Sequence, residues 1–353
     1  MSNDQLDLNQ IVFDGLLWSK PSILLSGADV KYKDISFPQI CASETIFEAD
    51  DLYGTYRINT ERDLPNPDTG QMQNYPAGTQ CMFSFTDQKT TREPVVLRQT
   101  VGGQLPLADV SGKLADYGNA ISLFYKQGEK FYRTLYSASQ GAFEPPLELG
   151  SEIKVPFPPA PAWYRGITHL FAVVEGQNKI DHWANSRSNP AQFTKQTELN
   201  TVAQPVGLPS PATYQSMLCL GYYVKDSQTE KKAFKLRRYD GTNWSQELSI
   251  YPTPGSNDTI AANSNRPSLV ALNGLLYCFY VGSSGLLRYR TYNGNSFNSR
   301  GHWTAAVVGA GDVDTAVRLR TTVSAVGVKT TTARLHCVYQ SKTATQTDSA
   351  TGG

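Results

Sequence analysis

The chain has 353 residues, with 32 Lys and Arg against 31 Asp and Glu and a formal net charge of +1. Nucleic-acid binders usually carry a clear basic excess, so this balance excludes nucleic acid as the expected partner. Five cysteines argue against a disulfide framework, no apolar run reaches the roughly 20 residues that a bilayer span needs, and the opening Met1 to Gln5 lacks the apolar stretch of a signal peptide. The expected location is the cytoplasm, or outside the cell by export without a classical signal, with no membrane insertion.

Taken in chain order, the segments read as short strands bounded by Gly and polar clusters, with no extended helical periodicity. Leu6 to Phe13 is a strand that leads through Asp14-Gly15 into a second, Trp18 to Leu25. Ser26 to Gln80 is irregular; within it Thr45 to Phe47 and Tyr53 to Ile58 suggest a hairpin, and Asp63 to Gly70 an inserted loop. Inner hairpins then follow near 81–100, 121–136, 169–183, 217–239 and 275–292, with Pro156 to Pro161 and Pro205 to Pro211 as connections. A last apolar strand, Arg334 to Gln340, precedes a Ser/Thr/Gly-rich tail, 341–353, expected to be disordered.

Two features suggest a repeat. Phe13 to Trp18, Tyr239 to Trp244 and Tyr292 to Phe297 each run aromatic, Asp or Asn, Gly, two variable residues, aromatic. Such Asp-Gly and Asn-Gly pairs suit tight turns because they tolerate positive φ. Tyr136 to Phe143 is a looser version. Cys219, Cys278 and Cys337 fall in the middle of successive strands at equal spacings of 59, at what reads as one repeated sheet position, and are expected to be core packers.

The last strand has no partner after it in the sequence, whereas Leu6 to Leu25 supplies strands that have none before them. The expected fold is therefore all-β: a single β-propeller over residues 1–340, of six or seven four-stranded blades with seven favoured. Residues 1–25 complete the last blade, so that N- and C-terminal strands share it and the ring has no open edge.

The candidate chemistry is recognition. Basic and aromatic residues recur around the third strands and their turns: Trp18, His182, Trp183, Arg237, Tyr239, Trp244, Glu247, Arg288, Arg290 and Tyr292. Sugars stack their C–H faces on rings and offer hydroxyls to guanidinium and carboxylate groups. No metal-ligand spacing, phosphate loop or His-based triad is present, so neither metal nor cofactor is expected and no catalytic residue is assigned. Asp14 and Asp240 read as turn formers.

The strand, Arg, aromatic, Asp/Asn-Gly, Trp pattern loosely resembles the repeats of fucose-binding-lectin propellers. The turns slightly resemble the Asp-box of sialidase propellers, although here Asp and Gly are adjacent and the Ser is missing. The lectin resemblance implies a pocket between adjacent blades that combines Arg, Glu and Trp, onto which Arg237, Glu247 and Trp244 map. The blade of Arg288 and Phe297 lacks the Glu and the Trp. The leading expectation is thus a glycan-binding propeller, with the balance against an enzyme. Its alternatives are a central-funnel enzyme, either a glycosidase-like hydrolase or a cyclase of a small metabolite, and a protein-interaction module using Ser26 to Gln80.

Overall fold

The protein is described by a computed structural model over residues 6–13, 19, 22–26, 29, 39–42, 52–86, 89–97, 99, 108, 110–116, 121–137, 140–149, 153, 159–251, 259–283, 285, 287–292, 304–307, 319–329 and 333–342. Among these residues every regular element is a strand. The chain begins with β1 (Leu6–Phe13) and β2 (Ser22–Leu25), an antiparallel pair that belongs to the last blade.

Blade 1 is built from β3 (Gln39–Ala42), β4 (Leu52–Arg57), β7 (Gln80–Thr86) and β8 (Lys89–Val96). A two-stranded hairpin, β5 (Arg62–Pro65) and β6 (Met72–Tyr75), interrupts it. Blade 2 comprises β9 (Val110–Asp116), β10 (Ile121–Gln127) and β11 (Lys130–Ser137), with two short outer strands, β12 (Ala142–Phe143) and β13 (Leu147–Glu148). Blade 3 is β14 (Ala160–Tyr164), β15 (Ile167–Val173), β16 (Lys179–Ala184) and β17 (Thr194–Asn200). Blade 4 is β18 (Gln204–Tyr214), β19 (Met217–Lys225), β20 (Lys232–Tyr239) and β21 (Leu248–Tyr251). Blade 5 is β22 (Ser268–Leu272), β23 (Leu275–Val281), β24 (Leu287–Tyr292) and β25 (Thr304–Val307). The closing blade joins β26 (Leu319–Lys329) and β27 (Ala333–Lys342) to β1 and β2.

The first strands β3, β9, β14, β18, β22 and β26 touch one another in succession, and β26 returns to β3. This closes the ring around an axis. Each blade is covered on both faces by its neighbours, so second strands read as unbroken apolar runs instead of alternating ones. β23 is buried from Leu276 to Val281, and β19 from Leu218 to Val224. A strand with two dry faces has no use for a polar period.

The expectation of six or seven four-stranded blades, seven favoured, is corrected. Among the described residues the ring has five regular four-stranded blades and one irregular five-stranded sheet. The overcount arises in blade 1. The β5–β6 hairpin separates β4 from its partner β7, although Leu52 to Arg57 pairs with Phe85 to Gln80 without a break. One blade therefore reads in the sequence as two. The hairpin also replaces the loop expected at Asp63 to Gly70, and it buries Leu64 and Tyr75 against the core of blade 1.

End-to-end pairing is continuous. β1 runs antiparallel to β27 from Leu6 opposite Lys342 to Phe13 opposite Leu335. Gln10 Nε2 and His336 Nδ1 lie 2.8 Å apart in the buried seam. β27 reaches Lys342, so the first two residues of the expected tail are strand; the rest of it, and the turns at Asp14-Gly15 and Asn293-Gly294, lie outside the described residues.

The cysteines are fully buried packers, as their burial-raised thiol pKa values also reflect. Their equal spacing is not a structural period, however. Cys278 and Cys337 each pack against the blade before their own, whereas Cys219 packs against the blade after it. The residues of β19 that face back towards blade 3 are Leu218, Leu220 and Tyr222.

Candidate functional site

The sequence places an aromatic residue, a turn and a second aromatic at the end of β20, and the structure turns this into a platform. The Asp240 carboxylate accepts from the backbone N–H groups of Thr242 at 2.8 Å and Asn243 at 2.7 Å. These bonds hold its pKa below the ordinary carboxylate value and fix the turn. Gly241 takes φ 104°, which only glycine adopts readily. The chain thereby reverses, and the Trp244 ring stacks on Tyr239 with centroids 5.0 Å apart.

Alternation along β20 directs Lys235, Arg237 and Tyr239 towards blade 3, and Phe234 and Leu236 towards blade 5. At the junction of blades 3 and 4, Arg237 Nε donates to the Tyr222 hydroxyl at 3.2 Å. That hydroxyl in turn donates to Glu247 Oε2 at 2.7 Å. Burial, and then the bond to Glu247, raise the Tyr222 pKa, so the phenol keeps its proton and the donor direction is fixed. Lys235 Nζ stands 3.5 Å from Glu247 Oε1, and an Arg237 Nη2 donates across the junction to the Asn200 carbonyl.

Behind the platform lies a histidine pair. His182 stacks on Phe171 at 4.8 Å, meets the edge of Trp244 at 5.6 Å, and shares a proton position with His169 across 2.8 Å. Burial lowers the pKa of His169 to about 4. Burial and the neighbouring His169 lower that of His182 to about 3. Both rings are therefore neutral at ordinary pH. The His182 Nδ1 and Trp244 Nε1 atoms are buried without a hydrogen-bond partner among the described residues.

The structure brings together five of the ten sequence-predicted residues: His182, Arg237, Tyr239, Trp244 and Glu247 all belong to the junction of blades 3 and 4. Of these, His182 is wholly enclosed. Arg290 and Tyr292 are buried on the face of blade 5 that meets blade 4, where Arg290 Nη1 donates to the Ile250 carbonyl. Arg288 shares that strand and face by alternation and is half-buried. Trp183 is buried on the opposite face of blade 3, against Phe124, Phe131 and Leu170 of blades 2 and 3. Trp18 lies outside the described residues. Sequence reasoning missed Tyr222, Lys235, the paired role of His169, and Tyr164, whose ring meets that of Tyr239 edge-on with centroids 6.2 Å apart.

Fold and junction together define a closed propeller with a mixed aromatic and charged seam between two blades. No family model matches the chain, and no curated protein matches it. Among solved structures it is similar to an α-L-arabinofuranosidase from Clostridium thermocellum, at 13% identity over 78% of this chain and 94% of that one, with a TM-score of 0.48. The SapL1 lectin in complex with α-methyl fucoside gives 12% identity, 79% and 88% coverage and a TM-score of 0.46. The NanB sialidase from Streptococcus pneumoniae gives 9%, 76% and 58% coverage, and 0.46. The resemblance to fucose-binding-lectin and sialidase-like propellers thus has solved counterparts. The expectation that leaned away from an enzyme stands against the other neighbours, which include two further α-L-arabinofuranosidases, an exo-β-1,3-galactanase, an α-L-arabinanase and an endo-arabinase.

Proposed function

We propose that the chain is a carbohydrate-active propeller that holds a saccharide at the rim of the junction between blades 3 and 4. The Tyr239–Trp244 stack carries this reading: two half-buried rings 5.0 Å apart, backed by an Arg237–Tyr222–Glu247 hydrogen-bond chain. An apolar ring face beside directional donors and acceptors is what a sugar's C–H face and hydroxyls require.

Cleavage of a glycosidic bond requires a carboxyl group that keeps its proton and a second, ionised one across the bond. The carboxylates on the two faces of blade 3 and at its junction with blade 4 are poorly suited to the first role. Glu247 is engaged by Tyr222 and Lys235. On the opposite face of blade 3, which Trp183 and Lys195 share, Asp181 and Glu198 stand opposite each other on β16 and β17 and are bridged by Lys195 at 3.1 and 2.6 Å, and the Glu198 pKa is lowered by Lys195 and Lys179. Among the six strands around the axis, Asp116 of β9 is the single carboxylate in the sequence. On the sequence alone, a hydrolytic centre in the funnel would take its carboxyl groups from Asp116 or the connecting segments.

One experiment covers both halves. Saccharide binding is measured by calorimetry and reducing-end release is assayed on arabinan, galactan and fucosylated glycans, for the parent, Trp244→Ala and Asp116→Asn. Weaker binding by Trp244→Ala, by roughly tenfold or more, supports the junction as the site. Release abolished in Asp116→Asn with binding kept supports the funnel as the place of cleavage. Undiminished binding by Trp244→Ala rules the junction out.

A further inference from the structure

On the rim beside the Tyr239–Trp244 platform, two exposed arginines meet in the turn between β14 and β15. Arg165 adopts φ 51° and Gly166 φ 81°. The left-handed region is uncommon for a non-glycine residue, and Asn is the side chain that tolerates it best after Gly. Keeping Arg there thus carries a backbone cost. The Arg165 guanidinium lies 5.2 Å from the centroid of the Tyr164 ring. It occupies the space that a side chain at Gly241 would need, directly over the Asp240–Trp244 turn.

Arg187, from the loop between β16 and β17, fills the equivalent space over Gly166. Its Nη2 donates to the Arg165 carbonyl at 2.8 Å. Two glycines therefore make room for two guanidiniums, each positioned from a different element. That bond is the only hydrogen bond made by the Arg187 side chain among the described residues, and the Arg165 side chain makes none. The Asp240 carboxylate of the turn below has its Oδ1 committed to two backbone N–H groups. Asp240 also attracts Arg165 at longer range without forming an ion pair.

We infer that Arg165 and Arg187 form a subsite for the carboxylate of an acidic saccharide, such as a uronate-bearing glycan, next to the ring-stacking platform. This deepens the proposed function and rests on it. The planar fork of a guanidinium matches a carboxylate in two parallel hydrogen bonds. An arginine already lying on an aromatic ring is preorganised, so less side-chain entropy is lost when it binds. Asp240 selects against ligands that place a second negative charge on the turn.

The test titrates an oligogalacturonate and its methyl ester against the parent, Arg165→Asn and Arg187→Ala. The parent should bind the acid at least about tenfold more tightly than the ester, as one charge-assisted bidentate contact implies. Added salt should weaken binding of the acid selectively. Arg165→Asn should bring acid and ester to the same affinity while raising the melting temperature, because Asn relieves the left-handed backbone. Arg187→Ala should reduce the preference for the acid. Equal parent affinities for acid and ester, or binding of neither, overturn the inference and leave the proposed function to its own test on arabinan, galactan and fucosylated glycans. A melting temperature lowered by Arg165→Asn, with the acid preference kept, assigns the arginine to the fold and overturns the subsite.

Discussion

His182 shows how far a single residue's environment departs from its neighbour's in the sequence. His182 and Trp183 are adjacent, and both are among the candidate binding residues of the sequence. Strand alternation sends them to opposite faces of blade 3, where one meets Trp244 and the other Phe131. Arg237, Tyr239, Trp244 and Glu247 were legible because one turn brings them together locally. Tyr222 comes from another strand and Arg165 from a turn of the neighbouring blade, and no local pattern reports those contacts. The buried imidazoles carry a pH dependence whose sign follows directly. His169, His182 and His336 are neutral in the fold, with pKa values lowered to about 4, about 3 and about 4. The unfolded chain protonates them near the ordinary histidine value of about 6.5. Stability is thus complete above about pH 6.5 and is lost progressively towards pH 4, at up to about 1.4 kcal/mol per pH unit for each ring. His182→Phe retains the stacking on Phe171 and removes one titrating group. Thermal melts at about pH 7 and pH 4.5 should show a smaller fall in melting temperature for this variant than for the parent.

At the level of elements, the β5–β6 hairpin and the bulge of β18 are two departures from a regular blade, and each has a local physical cause. The hairpin sequence, rich in Pro, Asp, Asn and Gly, reads as a loop because its strands are short and mostly exposed. Its only apolar anchors are Leu64 and Tyr75, one on each strand, so neither forms a run. Leu64→Ala should lower stability by about 2–4 kcal/mol through the cavity it leaves in the blade 1 core, measured as a shift of the urea midpoint at unchanged slope. In β18 the pairing register with β19 shifts between Val206 and Ser210. There Gly207, at φ 72°, brings the backbone against Asn265, whose carbonyl accepts from Leu208 N–H at 2.8 Å. A methyl group at 207 would overlap that carbonyl. Gly207→Ala should therefore cost roughly 1–3 kcal/mol, combining left-handed strain with displacement of the 259–267 connection. Calorimetric melts of this variant and of Gly70→Ala separate the two contributions, since Gly70 has φ 71° and open space around it.

The ring as a whole was the most legible feature, because a strand lacking its partner at one end of the sequence and a spare pair at the other imply a shared blade. Blade number was less legible, since it depends on knowing which neighbouring strands pair across an insertion. Closure makes a prediction that an open row of sheets does not. β1 inserts between β27 and β2, and it buries Leu8, Gln10 and Val12. Without it, the hydrogen-bonding edge of β27 is unpaired along its length, and the closing blade retains only two strands to bridge blades 5 and 1. Deleting residues 1–26 should therefore cost more than the burial of those strands. Both neighbouring interfaces loosen, and the single cooperative unfolding transition should broaden or split. A synthetic peptide spanning residues 1–26, added in trans, should restore one sharp transition in a concentration-dependent way, because it binds the folded ring and not the unfolded chain. A peptide carrying Gln10→Leu loses the contact to His336 and should restore it only at higher concentration, by roughly fivefold to tenfold for one buried hydrogen bond. An unbroken, sharp transition in the truncated chain without peptide would show that the blades stand independently and that β1 is not the clasp.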